Sequence, residues 1–229
     1  MKALTGPIER HRAALVRCAP FALYIALMAA TPLLAAALPE IDRRWFYAVK
    51  VVCVAALLGL FLRAYGELRS GPRLKAGEWL VSLAVGGAVF LVWIQLDLPW
   101  LSVGESAGFD PRDAAGEIVW TWVLIRLCGA VLVVPLMEEL FWRSFLMRWI
   151  DRQDFLALPP AAVSLRALFL SALVFGLAHN LWFAGLLAGL AYGWLYLRSG
   201  NLWSPILSHA LTNLLLGLWV LHTGSWQFW

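Results

Sequence analysis

The sequence VVPLMEELFWRSF, residues 133–145, places two adjacent glutamates and an arginine inside a run of valine, leucine, phenylalanine and tryptophan. Ionised side chains are costly in such surroundings. When they occur in a membrane span, they usually face the bundle interior or a water-filled cavity and mark a functional site. This stretch lies in a longer apolar segment, 118–150, that exceeds the roughly 20 residues needed to cross a bilayer. The segment is therefore predicted to be a membrane-spanning helix that contains functional residues.

The composition of the whole chain is that of a membrane protein. Of its 229 residues, 62% are hydrophobic and only 14% are charged, whereas a soluble domain typically carries about 25% charged residues. Apolar runs of span length recur along the chain, which predicts an all-α, polytopic transmembrane bundle of about seven (six to eight) spans. Because spans account for most of the chain, we expect a single integral membrane domain over residues 1–229.

The limits of the spans are predicted from the points where apolar runs meet polar or turn-forming residues. The predicted spans are 18–38, 45–65, 79–101, 118–150, 163–179, 181–197 and 202–221. The first three form an N-terminal part, 1–117, and the others form a candidate catalytic core, 118–221. Pro135 lies inside the fourth span, so we expect a kink, tilt or break there.

The distribution of charge predicts the orientation, because Lys and Arg collect in cytoplasmic loops. The stretches before the first span, after the second and after the fourth are rich in basic residues. The loop 102–117 holds four acidic residues and only Arg112. The N-terminal stretch contributes Lys2, Arg10, Arg12 and Arg17. We therefore expect a cytoplasmic N-terminus and, from the Ala-, Leu-, Arg- and Trp-rich composition, a multi-pass protein of the bacterial inner membrane.

The three charged residues of the opening stretch differ in their expected partners. Glu139 and Arg143 are four residues apart, so on a helix they lie on one face and can pair. Glu138 points about 100° away from Glu139. A purely structural ion-pair cluster that holds helices together would explain Glu139 and Arg143. It would leave Glu138 without a cation unless another helix supplied one.

Two later spans carry further polar residues. The stretch FGLAH places Phe175 and His179 on one helical face, and HALTN does the same for His209 and Asn213. A lone histidine in an apolar helix is more often a packing residue than a catalytic one. Two histidines and an asparagine within spans each cost stability unless they converge with the glutamate pair. We therefore predict that all of these side chains form one polar site.

Convergence of the two histidines places a demand on the backbone. Straight fifth and sixth spans would carry His179 far from His209 across the membrane, because each helical residue rises by about 1.5 Å. Either the two spans are short, tilted or re-entrant, or the predicted topology is wrong. We expect irregular backbone in HNLWFAG, residues 179–185, since such backbone is tolerated at membrane depth where it lines a cavity.

The residue types indicate hydrolysis of a carbonyl compound. A carboxylate beside a histidine can deprotonate a water, and an asparagine amide with a second histidine can donate hydrogen bonds to the oxyanion. The zinc-protease string HExxH is absent, because Asn180 follows His179, and no serine occupies a nucleophile elbow. Glu138, His179 and His209 still have the composition of a three-ligand zinc site.

The motifs EExxxR, FxxxH and HxxxN, in this order on successive helices, resemble the membrane glutamic endopeptidases related to CAAX prenyl proteases. The same superfamily (CPBP or Abi) includes bacteriocin-processing and immunity proteins. The resemblance covers about residues 131–216. It implies that Glu138 activates a water with the help of His179, while His209 and Asn213 form the oxyanion site.

The resemblance also implies supporting roles and a substrate class. Glu139 and Arg143 would brace the helix and tune Glu138, and Phe175 would pack or contact substrate. The expected substrate is a membrane-associated or lipid-anchored protein, with no cofactor, zinc left open, and no nucleic-acid partner. The alternatives are a non-enzymatic immunity or scaffold protein, a zinc-dependent membrane protease, and a transporter, although the internal repeat typical of many transporters is not evident.

Overall fold

The computed structural model describes residues 6–69, 71, 73–104 and 108–229. Lys2 of the basic N-terminal stretch and Glu105 of the acidic loop lie outside these ranges. Within them the chain forms seven helices of at least 13 residues and no strand. These are Pro7–Ala37 (α1), Arg44–Phe61 (α2), Ala76–Gln95 (α3), Trp120–Asp151 (α4), Leu165–Leu177 (α5), Trp182–Ser199 (α6) and Trp203–Thr223 (α7).

Five of these helices, α1 to α4 and α7, are long and apolar enough to cross a membrane. Helix α5 is apolar but has only 13 residues, and α6 has 18. Each of the seven predicted spans corresponds to one of the seven helices. The prediction of an all-α, multi-span bundle is therefore confirmed.

The start of α1 differs from the predicted one. The helix begins at Pro7, a residue suited to the first helical position because it needs no backbone N–H there. Arg10, Arg12 and Arg17, which the sequence analysis places before the first span, therefore lie within the helix. Among them, Arg17 is only 1% exposed and lies 2.6 Å from the carboxylate of Glu67. Because Arg17 is paired with Glu67 inside the protein, it is not a loop residue. Its charge therefore does not indicate which end of the first span faces the cytoplasm.

Helix α4 continues through Pro135, where we expected a kink, tilt or break. Two π-helical segments, Gly129–Val133 and Leu140–Leu146, flank the α-helical piece Val134–Glu139. Proline lacks an N–H, and its ring clashes with the carbonyl four residues earlier in a regular α-helix. The wider π turn just before Pro135 relieves this conflict. The helix is therefore irregular at the predicted place but not broken.

The connection between α5 and α6 has the irregular backbone that convergence of the histidines demands. Helix α5 ends at Leu177, and His179 lies in a non-helical connection before α6 begins at Trp182. The two helices approach closely through glycines. A Cβ added at Gly176 would lie 2.6 Å from the Trp182 carbonyl oxygen. Small residues at such contacts are typical of helix packing in membranes.

Helix α7 is held against α3 in a similar way. A Cβ added at Gly86 would lie 2.6 Å from the carbonyl oxygen of Ser208. The hydroxyl of Thr212 lies 2.9 Å from the Gly86 carbonyl oxygen, to which it can donate. Because Ser208 precedes His209, this contact fixes the part of α7 that carries the histidine.

The larger apolar core joins α4 to α1, α2 and α6. Its members include Val16, Val54, Met137, Leu140 and Tyr196, all 5% exposed or less. Burying a large apolar side chain in water-soluble proteins contributes about 1.5–3 kcal/mol, but in lipid the gain comes mainly from close packing. Packing on three helices fixes the position of the glutamate-bearing turn of α4.

Candidate active site

Glu139 is the most enclosed charged side chain of the site, and it bridges two cations or potential cations. Its Oε2 lies 3.1 Å from Nε of Arg143, and its Oε1 lies 2.9 Å from Nδ1 of His209. The Glu139 side chain is 0% exposed. The i, i+4 spacing thus places Arg143 on Glu139 as predicted, and it adds His209 from α7 to the same carboxylate.

Arg143 is held by ring and backbone contacts in addition to its carboxylate. Its Cζ lies 4.5 Å from the ring centroid of Phe175 and 5.5 Å from that of Tyr192. One of its NH2 groups donates to the carbonyl oxygen of Gly189 at 3.3 Å. Phe175 therefore packs on the guanidinium, where cation–π attraction is strengthened by exclusion of water.

Glu138 is the carboxylate without a bonded partner. The residue is 8% exposed, and its Oε2 is buried with no hydrogen bond in the described part of the chain. Its charged neighbours are His209, Glu139 and Arg143. Buried polar atoms are nearly always hydrogen-bonded, so an unsatisfied one requires a functional explanation, such as a water or a substrate group.

His179 lies on the α5–α6 connection with one ring nitrogen already used. Its Nδ1 lies 2.7 Å from the carbonyl oxygen of Phe175, so it carries the proton and donates. The ring packs 4.6 Å from the Phe175 ring and 5.6 Å from the Trp93 ring, centroid to centroid. No hydrogen bond joins His179 to Glu138 among the described residues. In a neutral ring, Nε2 is left as an acceptor.

The ring of His209 is stacked on a tyrosine that the sequence did not single out. The Tyr192 centroid lies 4.9 Å from that of His209, with an interplanar angle of 18°. The Tyr192 hydroxyl donates to Thr212 at 2.8 Å. Tyr192 therefore fixes the plane of the imidazole. A polar aromatic residue within the glycine-rich α6 was the available signal, but only the packing of α6 on α7 assigns its partner.

Asn213 is joined to the π segment of α4. Its Nδ2 donates to the carbonyl oxygen of Ala130 at 2.7 Å. In the π turn, Val134 N–H bonds to the Gly129 carbonyl, five residues back. The next N–H in that series would come from Pro135, which has none. Asn213 therefore satisfies a carbonyl that the proline leaves without a backbone donor, and its second N–H has no hydrogen bond among the described residues.

A second buried charged cluster lies further along α4. The guanidinium of Arg17 contacts Glu67 at 2.6 Å and Ser144 at 3.0 Å, and Arg148 contacts Ser144 at 2.8 Å. Ser144 also donates to Glu67. Burial raises the pKa of Glu67, but the charge and hydrogen bond of Arg17 and the bond from Ser144 outweigh it and hold the pKa below its usual range. This cluster ties α1 and the loop after α2 to α4.

The residues of the proposed zinc site are not grouped around a common point in the described part of the chain. Among the described residues, no three His, Cys, Asp or Glu side chains are grouped to hold one metal ion. Glu138, His179 and His209 are thus not arranged as a three-ligand site. The Nδ1 of His209 faces Glu139 instead.

The same segment of the chain matches a known family. Residues 119–215 match the family model described as Rce1-like, type II CAAX prenyl endopeptidase. This range includes every predicted site residue, from Glu138 to Asn213. No curated protein and no solved structure matches the chain. Together with the five span-length helices, the match indicates a multi-pass membrane protein whose residues 119–215 are similar to the Rce1-like family of CAAX-type membrane proteases.

Proposed function

We propose that this protein is an intramembrane endopeptidase in which Glu138 activates a water to hydrolyse a peptide bond of a membrane-associated or lipid-anchored protein. One observation carries the proposal: among the described residues Glu138 forms no ion pair and its buried Oε2 has no hydrogen bond, whereas Glu139 is ion-paired with Arg143, although its Oε2 also lacks a hydrogen bond, and lies 2.9 Å from His209. A structural ion cluster would satisfy both carboxylates. A carboxylate left open beside an occupied one is what a general base requires.

Charge balance links the base to the oxyanion donor. Glu138, Glu139 and Arg143 together carry one excess negative charge when both carboxylates are ionised. In the proposed reactive form of the site, the compensating proton is on His209, which makes the cluster neutral. His209 then has an N–H on Nε2 as well as on Nδ1, because both nitrogens of an imidazolium are donors. The ionised base and the cationic donor therefore occur in the same protonation state.

The first step is attack of water on the scissile carbonyl carbon. Glu138 takes one proton of the water as the oxygen bonds to carbon, and the carbonyl π electrons move to the oxygen as an oxyanion. The His209 Nε2–H and the second amide N–H of Asn213 donate to this oxyanion. The His179 Nε2 accepts a hydrogen bond from the water and helps to position it. The cluster stays neutral, because the new oxyanion replaces the charge that Glu138 lost.

Collapse of the tetrahedral intermediate completes the reaction. The oxyanion re-forms the carbonyl, the C–N bond breaks, and Glu138 passes its proton to the leaving amine. This returns Glu138 to its ionised form and releases an acid and an amine. In this scheme Glu139 and Arg143 touch no reacting atom and act as positioning residues for His209 and Glu138.

The remaining parts of the proposal concern organisation and location. We infer one membrane domain over residues 1–229, with the core 118–221 performing the chemistry. The N-terminus is proposed to face the cytoplasm of a bacterial cell. A non-enzymatic immunity or scaffold protein is the rival, since it would use the same helices without hydrolysis.

The test is cleavage by the purified, vesicle-reconstituted protein of a quenched peptide that ends in a farnesylated Cys-Val-Ile-Met sequence. Mass spectrometry locates the cleaved bond. Glu138→Gln should lose activity by at least roughly 1,000-fold, while Glu117→Gln, an exposed acidic residue, should behave like wild type. Wild-type activity in folded Glu138→Gln would overturn the proposed role, and absence of cleavage by the folded wild type would favour the scaffold.

A further inference from the structure

Asn180 ties the connection that carries His179 to a distant part of the chain. The Val103 N–H donates to the carbonyl oxygen of Asn180 at 2.8 Å, and the Asn180 Nδ2 donates to the carbonyl oxygen of Val103 at 3.0 Å. Because the two bonds join the same two residues, they restrict the rotation of one against the other as well as their separation. The connection between α5 and α6 is therefore anchored at the residue that follows His179.

The strap, residues 96–104, follows α3 and has a defined structure of its own. The Leu101 N–H donates to the carbonyl oxygen of Leu98 at 2.9 Å, and the Ser102 hydroxyl donates to the same oxygen at 3.0 Å. Leu101 is only 4% exposed. Because the strap is held by its own hydrogen bonds and by a buried leucine, it offers Asn180 a partner that is fixed in place.

The ring of His179 is restrained by contacts, but its backbone lies outside both helices. Its Nδ1 donates to the carbonyl oxygen of Phe175 at 2.7 Å, and its ring centroid lies 5.6 Å from that of Trp93, with the planes at 84°. These contacts limit rotation of the imidazole, but they do not fix the backbone from which the side chain projects. Trp93 lies on α3, and the strap continues from that helix. One helix and its extension therefore hold both the ring and the residue beside it.

Asn180 is exposed, whereas Glu138 and His209 are buried. Removal of an exposed amide should leave the packing of the helices unchanged, because it opens no cavity in the core. The same removal breaks one of the two bonds to Val103. The position therefore combines a small expected effect on folding with a direct effect on the connection that carries His179.

We propose that Asn180 is a positioning residue, which holds the His179 imidazole in the orientation needed for its contact with the attacking water. The inference rests on the proposed function, in which the His179 Nε2 accepts a hydrogen bond from that water. It makes the strap part of the support of the active site, although Val103 and Asn180 touch no reacting atom in this scheme. A displacement of about 1 Å can lower a rate roughly 100-fold, so the loss of one anchoring bond beside His179 is enough to affect turnover.

The first test measures the placement of His179 without any substrate. In protein labelled with 15N-histidine, the Nδ1–H signal of His179 is identified by its loss in His179→Ala. Because this proton is bonded to the Phe175 carbonyl oxygen, it should exchange slowly with water in wild type. Asn180→Ala should accelerate the exchange at least roughly tenfold. The matched control is Asn201→Ala, which removes an amide bond to the Trp203 N–H in the α6–α7 connection and should leave the exchange unchanged.

The second test asks whether the effect of Asn180 on catalysis passes through His179. Asn180→Ala should lower kcat roughly tenfold with little change in KM or Tm, because the side chain is exposed. Asn180→Asp keeps the shape but replaces the donor with an acceptor that faces the Val103 carbonyl oxygen, so it should lose at least as much. In a double-mutant cycle, Asn180→Ala should have no further effect on kcat once His179 is alanine.

The two tests separate this inference from the proposed function. An unchanged exchange rate of the His179 proton in Asn180→Ala would overturn the positioning role and leave the endopeptidase function intact. Losses of kcat that multiply in the double variant would also overturn it, because they would show that Asn180 acts independently of His179. Absence of cleavage by the folded wild type would contradict the proposed function, and the exchange measurement would still decide whether Asn180 holds the imidazole.

Discussion

Nδ1 of His209 lies 2.9 Å from Oε1 of Glu139, and the carboxylate that holds this histidine is therefore not that of Glu138. Two adjacent glutamates consequently have different tasks. Glu139 is committed to His209 and Arg143, while Glu138 keeps a buried, unpartnered oxygen. This division underlies the proposed mechanism and several outcomes that experiments can check.

Glu139→Gln should damage both stability and activity, whereas Glu138→Gln should damage activity alone. Without the Glu139 charge, Arg143 is left buried at 2% exposure with no ion-paired carboxylate among the described residues, and breaking a buried pair costs about 3–5 kcal/mol. Chemical unfolding in detergent, run beside the cleavage assay, measures both effects. If the two variants unfold with the same free energy, the division of roles between the glutamates is wrong.

Tyr192 should influence catalysis through its ring rather than its hydroxyl. Tyr192→Phe keeps the stack on His209 and removes only the bond to Thr212, so we expect a stability cost of about 1 kcal/mol and a nearly unchanged kcat. Tyr192→Leu frees the imidazole to rotate and should lower kcat by roughly tenfold with little change in KM. Steady-state kinetics of the two variants test this prediction. A loss of kcat in Tyr192→Phe as large as that in Tyr192→Leu would contradict the role of the ring.

The contact between α3 and α7 offers a comparison of two neighbouring glycines. Gly86→Ala puts a Cβ 2.6 Å from the Ser208 carbonyl oxygen, so a helix must shift at a cost of about 1–3 kcal/mol, and His209 shifts with it. Gly87 has nothing within 4 Å of an added Cβ. Gly87→Ala should therefore leave activity intact and stabilise the helix by roughly 0.5–1 kcal/mol. Identical behaviour of the two variants would show that the close approach does not matter.

Some features of this site can be predicted from the sequence because they depend only on the spacing of residues along one helix. The pairing of Glu139 with Arg143 follows from the i, i+4 interval, and the short α5 follows from the need to bring His179 near His209. Both are present in the structure. Helical periodicity determines which residues share a face, and that information is local.

Other features depend on contacts between segments that are distant in the chain, and they cannot be predicted from a single sequence. The sequence alone predicts Arg17 in a basic loop, because it does not reveal that Glu67, fifty residues later, pairs with this arginine inside the protein. Pro135 predicts that a carbonyl of α4 loses its donor, but not that Asn213 replaces it at Ala130. The pairing of helices decides these partners.

The Glu67 cluster should make stability depend on acid. Because the pKa of Glu67 is held below its usual range in the folded protein, its ionised form stabilises the fold above the unfolded-state pKa of about 4.3. That contribution is lost as the pH falls through the lower, folded-state pKa.

Glu67→Gln should accordingly lower stability by about 3 kcal/mol at neutral pH, since Arg17 loses its anion. It should also reduce the fall in stability between neutral and acidic pH. Unfolding measured as a function of pH provides the readout, and Glu40→Gln, at an exposed position, is the matched control. An acid profile unchanged by Glu67→Gln would contradict the assignment.

The central claim is that the Glu138 carboxylate itself removes the proton from water, and chemical rescue tests it most directly. Glu138→Ala, reconstituted in vesicles, is assayed by single-turnover cleavage of the farnesylated peptide with and without formate, in the presence of a metal chelator. We expect negligible cleavage alone, partial recovery that rises with formate concentration, and no effect of chelator on wild type. Wild-type rates in Glu138→Ala without formate, or wild-type activity abolished by chelator and restored by zinc, would contradict a glutamate-activated water.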